Sequence, residues 1–198
     1  MKKRTCLFGL AASCLFVGLP LQAANIVQNP GFETGDLTNW NFTAAPGTGC
    51  STFGVNGTFG SGANTGSAAA QFGSVCSGAY DTISQDLATT AGTTYTFTFW
   101  LASDDGGDNG QQVYWDGNLI LNLVNFGQAY TLYSFTETAS SNLTTISFAG
   151  YNTPAWNSVD DVSVDANTAA PEPSTMLLFG AGAAVLVARR RKSQVANQ

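Results

Sequence analysis

The sequence predicts an all-β fold, an antiparallel jelly-roll β-sandwich, and three observations carry that prediction. From Asn25 onward, runs rich in Thr, Val, Ile, Phe and Tyr alternate with clusters of Gly, Asn and Asp. No stretch of this region keeps a helical period over three turns. Residues 94–101, TYTFTFWL, alternate strictly: Tyr95, Phe97, Phe99 and Leu101 share one face, and Thr94, Thr96, Thr98 and Trp100 share the other. That is the pattern of a half-buried strand, with the first set in the core. Short strands spaced by about 10 to 15 residues, separated by turns, give two packed sheets.

The chain begins with Lys2, Lys3 and Arg4, an apolar segment, and then Ala23 and Ala24. This is the layout of a secretory signal peptide over residues 1–23, and Cys6 and Cys14 leave with it. The exported domain spans 24–168. It keeps two cysteines, Cys50 and Cys76, which an oxidising compartment joins as a disulfide. Closing a loop of that length is worth roughly 3 kcal/mol in the chain-entropy account. Residues 46–78, whose ends the cystine pins, are rich in Gly, Ala, Ser and Thr and read as long loops crossed by short strands. Residues 103–111, SDDGGDNGQ, read as an acidic turn without the final Glu of an EF-hand loop. The Asp116-Gly117 turn between VYW and NLIL signals a hairpin. Residues 130–135, 143–148 and 158–164 supply further strands.

Charge divides the chain sharply. Its seven cations are Lys2, Lys3, Arg4, Arg189, Arg190, Arg191 and Lys192, and of its thirteen acids all but Glu172 lie between Glu33 and Asp165. The exported domain therefore has twelve carboxylates and no cationic side chain to pair them. A carboxylate buried there must be protonated, held by amide or hydroxyl donors, or bound to a metal. Nucleic acid is excluded as a partner, because nothing neutralises phosphate. The absence of His excludes Ser-His-Asp triads and the common zinc sites. Asp104 and Glu137 could act as a glycosidase pair only if the fold brought them together. The reading is of a non-catalytic protein.

The C-terminal end carries Pro171, Glu172 and Pro173, an uncharged apolar run over 176–188, and then Arg189, Arg190 and Arg191. Residues 169–175 form a linker, 176–188 a transmembrane helix and 189–198 a basic cytoplasmic tail. The helix is shorter than the roughly 20 residues a span requires and reaches across where the bilayer thins and the Arg side chains snorkel. The order of these features resembles the PEP-CTERM sorting signal of Gram-negative bacteria. That resemblance implies processing by an exosortase-like enzyme, a membrane-anchored intermediate, and a final place at the cell surface or outside it. It also implies an association with exopolysaccharide or biofilm.

The opening NIVQNPGFETGDLTNW and closing SVDDVSVDA resemble the galactose-binding-like jelly roll of many carbohydrate-binding modules. In that class the first Glu and the first Asp of the closing motif meet at a structural Ca²⁺, which here would be Glu33 and Asp160. The alternative is that both accept backbone amides and tie the termini together. Glycan binding would use exposed rings, because sugar C–H faces stack on aromatics; Trp100, Tyr114, Trp115, Tyr151 and Trp156 are candidates by residue type, and Trp40 is expected in the core.

Overall fold

The computed structural model describes residues 23–104 and 107–167. The expected signal peptide, Pro-Glu-Pro linker, apolar helix and basic tail lie outside the described residues. What is described is all-β: β1 (Asn41–Thr43), β2 (Phe53–Asn56), β3 (Ala69–Phe72), β4 (Asp81–Ala88), β5 (Thr94–Ser103), β6 (Asp108–Trp115), β7 (Asn118–Val124), β8 (Gln128–Thr138), β9 (Leu143–Thr153) and β10 (Asn157–Ala166). They form two five-stranded antiparallel sheets, one in the order β1-β4-β9-β6-β7 and the other β2-β3-β10-β5-β8. We call these the first and second sheets.

The alternation in β5 does what its sequence demands. Tyr95, Phe97, Phe99 and Leu101 are buried between the sheets, and the intervening Thr residues and Trp100 are partly exposed. Phe148 of β9 meets Phe99 in a perpendicular contact with centroids 5.0 Å apart. Phe32, Phe72, Ile83, Leu87, Val113 and Ile146 complete a core that also takes Trp40, as expected, and Trp115. Each large side chain buried there contributes roughly 1.5–3 kcal/mol of transfer free energy. At the β6–β7 turn, Asp116 and Gly117 both adopt positive φ, 49° and 78°, the backbone of a type I′ hairpin.

Cys50 and Cys76 form a disulfide with Cα atoms 5.0 Å apart, packed with Ala45 and Ala79 in a small separate cluster. The buried carboxylate of Asp81 holds the same region, accepting Ala45 N–H at 2.8 Å and Thr52 N–H at 3.0 Å.

Three features lie outside the sequence reading. Residues 25–40 are irregular and join the second sheet through Ile26 N–H to Val164 O at 3.0 Å. Strand β4 was not foreseen, because its inward positions are Asp81, Ile83, Gln85 and Leu87, and two polar residues interrupt the apolar alternation. The loop expected over 103–111 is shorter, since β6 already begins at Asp108. Asn109 and Gln111 are buried in that strand and the neighbouring Asn152 and Asn157 with them. Asn157 Nδ2 donates to Gly110 O and Tyr151 O, so amides close this end of the sandwich.

Candidate functional site

The first sheet presents an outward face of hydroxyls, amides and tyrosines. Antiparallel register sets its rows: Ser84 faces Ser147, which faces Tyr114, and Thr82 faces Ala149, which faces Gln112. Gln112 is opposite Asn122 of β7. The Tyr114 hydroxyl donates to Gln112 Oε1 at 2.6 Å, and Gln112 Nε2 donates to Asn122 Oδ1 at 3.3 Å. This chain of bonds fixes the rotamers of three side chains that are still partly exposed.

At one end of the face, Tyr80 stands perpendicular to Tyr151 with centroids 5.0 Å apart. Gly110 is the floor beneath both rings. A Cβ there would lie 2.6 Å from a ring carbon of Tyr151 and 2.7 Å from the Tyr80 hydroxyl. The Tyr151 hydroxyl donates to Asp108 Oδ1 at 3.2 Å, and Ser77 Oγ donates to the same oxygen at 3.2 Å. Burial pushes the Tyr80 phenol up, with Tyr151, Tyr114 and Asp108 adding to the shift. Burial and then the Asp108 charge do the same to Tyr151. Both phenols therefore stay neutral hydrogen-bonding groups.

Of the aromatic candidates, Tyr114 is on this face and partly open. Tyr151 is on it but only 5% exposed, covered by Tyr80, so it supports a ring and does not offer one. Trp115 is a correction: its position one residue from Tyr114 turns it inward, where it is 2% exposed against Tyr95 and Phe97. Trp156 is partly exposed, stacked on Phe59 at 5.0 Å and 8° with the Gly73 backbone close against its ring. Trp100 lies on the outward face of the second sheet, between Asp160 and Leu132 in register. Tyr80, Gln112 and Asn122 were missed; the period-2 reading of QQVY, which puts Gln112 with Tyr114, was the available signal.

Glu33 and Asp160 do come close, with Asp161. A Cβ at Gly31 would lie 3.6 Å from Asp160 Oδ1, 3.6 Å from Asp161 Oδ1 and 3.7 Å from Glu33 Cγ. A register shift after Asp160, with Asp161 at φ 49°, turns the second carboxylate to the same side as the first. All three grip the loop between β2 and β3. Glu33 Oε1 accepts Ser67 N–H at 2.9 Å and Ala68 N–H at 3.0 Å, and Oε2 accepts Ser67 Oγ at 2.9 Å. Asp160 Oδ2 accepts Asn64 N–H at 2.8 Å and Thr65 N–H at 3.2 Å. Asp161 accepts Asn64 Nδ2 at 2.8 Å and Thr65 Oγ1 at 2.6 Å. The Ser67 and Ala68 amides hold the Glu33 carboxyl below its usual range. Burial pushes Asp160 up to about 6 against the opposing pull of its three amides.

The backbone N–H contacts of Glu33 and Asp160 are of the kind the amide alternative requires. The carboxylate oxygens already accept N–H and O–H groups, and among the described residues no three His, Cys, Asp or Glu side chains gather as metal ligands. The clasp lays the β2–β3 loop over the second sheet, where Tyr130 donates to Gly62 O at 2.6 Å and Gln71 Nε2 donates to Phe59 O. Gln71, Ser158 and Asp160 are buried beneath it. On the face of the first sheet Gln112 and Tyr114 are partly exposed and Asn122 is exposed, while Ala149 and Tyr151 are buried.

Asp104 and Glu137 do not form a catalytic pair. Glu137 is opposite Tyr95 at the start of β5 and Asp104 follows its end. That is about 30 Å of strand, against the roughly 5–9.5 Å that glycoside hydrolysis uses.

Comparison with known proteins bears out the sorting motif read at the C-terminal end. Residues 169–192 match the PEP-CTERM protein-sorting motif. The chain carries a PEP-CTERM sorting signal. Such a signal marks an exported protein. No curated protein sequence matches it. Several solved structures share its sandwich. The K1 cleaved adhesin domain of Lys-gingipain from Porphyromonas gingivalis W83 aligns at TM-score 0.56 with 16% identity, over 76% of this chain and 100% of that one. TmCBM61, solved with β-1,4-galactotriose, aligns at 0.52 with 19% identity, over 72% and 98%. The enzymatically active domain of Bacteriophage CBA120 tailspike protein 4 aligns at 0.54 with 15% identity over 72%, but this chain spans only 21% of that one. At these identities the likeness is one of fold: the exported domain of this PEP-CTERM protein has the jelly-roll sandwich of carbohydrate-binding modules.

Proposed function

We propose that this PEP-CTERM protein is a non-catalytic glycan-binding protein of the bacterial surface or extracellular matrix. Its precursor is held in the inner membrane by residues 176–188 until an exosortase-like enzyme processes it near Pro171 to Pro173. The restricted backbone around Glu172 suits a protease cleft, because proline keeps its neighbour extended. The mature domain then docks exopolysaccharide of the biofilm across the outward face of the first sheet.

The observation that carries this reading is the tyrosine face. Tyr80 and Tyr114 are partly open rings, and Gln112 and Asn122 lie between strands with their amides pre-aligned. Sugar recognition requires that combination of apolar ring faces and fixed donors and acceptors. The experiment is a polysaccharide array probed with the mature protein and with Tyr80→Ala and Tyr114→Ala. Saturable binding that both variants lose supports the reading, and binding indifferent to both rejects it. Intact mass of the protein recovered from its host tests the processing step, since a retained Arg189 to Lys192 tail contradicts it.

A further inference from the structure

We propose that the glycan taken by this face carries free amines, a refinement that rests on the glycan-binding reading. The domain from Ala23 to Asn167 contains twelve of the thirteen acids and none of the seven cations. No face of it can neutralise a uronate, sulfate or phosphate, and its field repels them. An acidic polysaccharide is therefore the ligand class this domain is least able to hold.

A carboxylate stands at each end of the tyrosine face. Asp108 is opposite Thr153 of β9 and Asp86 is opposite Thr145. Those positions are eight residues apart along one strand, about 26 Å, so one extended polymer contacts both and a monosaccharide does not. Each carboxylate is aimed by hydroxyl groups bound to a single oxygen. Asp108 Oδ1 accepts Tyr151 Oη and Ser77 Oγ, both at 3.2 Å, and Asp86 Oδ1 accepts Thr145 Oγ1 at 2.6 Å. The second oxygen of each has no hydrogen-bond partner among the described residues. A neutral sugar leaves two oriented charges unanswered. An ammonium group donates to those oxygens and is drawn to the faces of Tyr80 and Tyr114 between them.

The test compares a β-1,4-linked glucosamine hexamer with its fully N-acetylated counterpart and with a galacturonate oligomer of the same length, at mildly acid pH and moderate salt. The free-amine hexamer should bind the mature protein about tenfold more tightly than the acetylated one, and the galacturonate should not bind. Asp108→Asn and Asp86→Asn should each weaken the amine form about fivefold. Glu137→Gln, an equal change of charge on the second sheet, should leave the affinity unchanged. Equal affinities for amine and acetylated hexamers overturn the proposal, and so does a loss with Glu137→Gln as large as with Asp108→Asn. If Tyr114→Ala still abolishes binding in those cases, the glycan face itself stands. If no neutral, amine or acid glycan binds, both readings fall.

Discussion

Tyr80 and Tyr151 meet at 90° with centroids 5.0 Å apart, and both rings lie over Gly110 in the neighbouring strand. This contact makes one end of the outward face of the first sheet out of a residue outside any strand, a strand residue and a missing side chain. Gly110→Ala puts a methyl group 2.6 Å from the Tyr151 ring, and the ring cannot retreat into the β-sheet. The expected result is a destabilisation of about 1–3 kcal/mol, read by denaturant unfolding. Glycan binding should fall further than stability alone accounts for, because Tyr80 is displaced.

The carboxylate clasp predicts an unusual pH dependence. Asp160 is raised in the folded protein from 3.8 to about 6, so its contribution is complete below the unfolded value and is lost as pH rises through about 6. Glu33 is lowered by the Ser67 and Ala68 amides, and Asp36, outside the clasp, by its hydrogen bonds from Thr38 and Thr34, so theirs is present above the unfolded range and lost as pH falls. In the window from about 4.5 to 6 the Asp160 contribution dominates, and stability should fall as pH rises. Self-repulsion among twelve unpaired carboxylates acts in the same direction. Melting temperature measured across this window should slope downward, and Asp160→Asn should flatten the slope.

Removing Cys50 and Cys76 together by substitution with Ser should cost roughly 3 kcal/mol, measured by denaturant unfolding. Asp81 still holds Ala45 and Thr52 in that variant, so the domain should stay folded.

Excess chelator should leave the melting temperature unchanged, since loop amides already occupy the oxygens of Glu33 and Asp160. Glu33→Ala should lower it by loosening Ser67 and Ala68. A marked drop with chelator, restored by Ca²⁺, would return a cation to the clasp.

Much of the fold was legible because apolar alternation is written openly in β5 and because Asp116-Gly117 is a strong turn signal. Strand β4 was hidden by Asp81 and Gln85, which face inward and are satisfied by backbone groups a linear reading cannot see. The start of β6 was hidden for the same reason, as Asn109 bonds the Phe126 backbone and Asn157 bonds Asn152, Gln111 and the backbone of Gly110 and Tyr151, all partners outside their own strands. The nearness of Glu33 and Asp160 could be expected from a resemblance. What they hold could not, because their partners, residues 64–68, lie in a Gly-rich loop without periodicity. Residue type nominated five aromatics equally, and only the register of β6 and the burial around it separate Tyr114 from Trp115.

The central claim is that the outward face of the first sheet binds a glycan. Its most direct test is calorimetric titration of the mature protein with a glycan selected on the array, repeated for Tyr80→Ala, Tyr114→Ala and Trp100→Ala, each first checked for an unchanged melting transition. Tyr80→Ala and Tyr114→Ala should each weaken binding by about tenfold or more, and Trp100→Ala should leave it unaltered. Full affinity in both tyrosine variants with loss in Trp100→Ala would contradict the account and move the site to the second sheet.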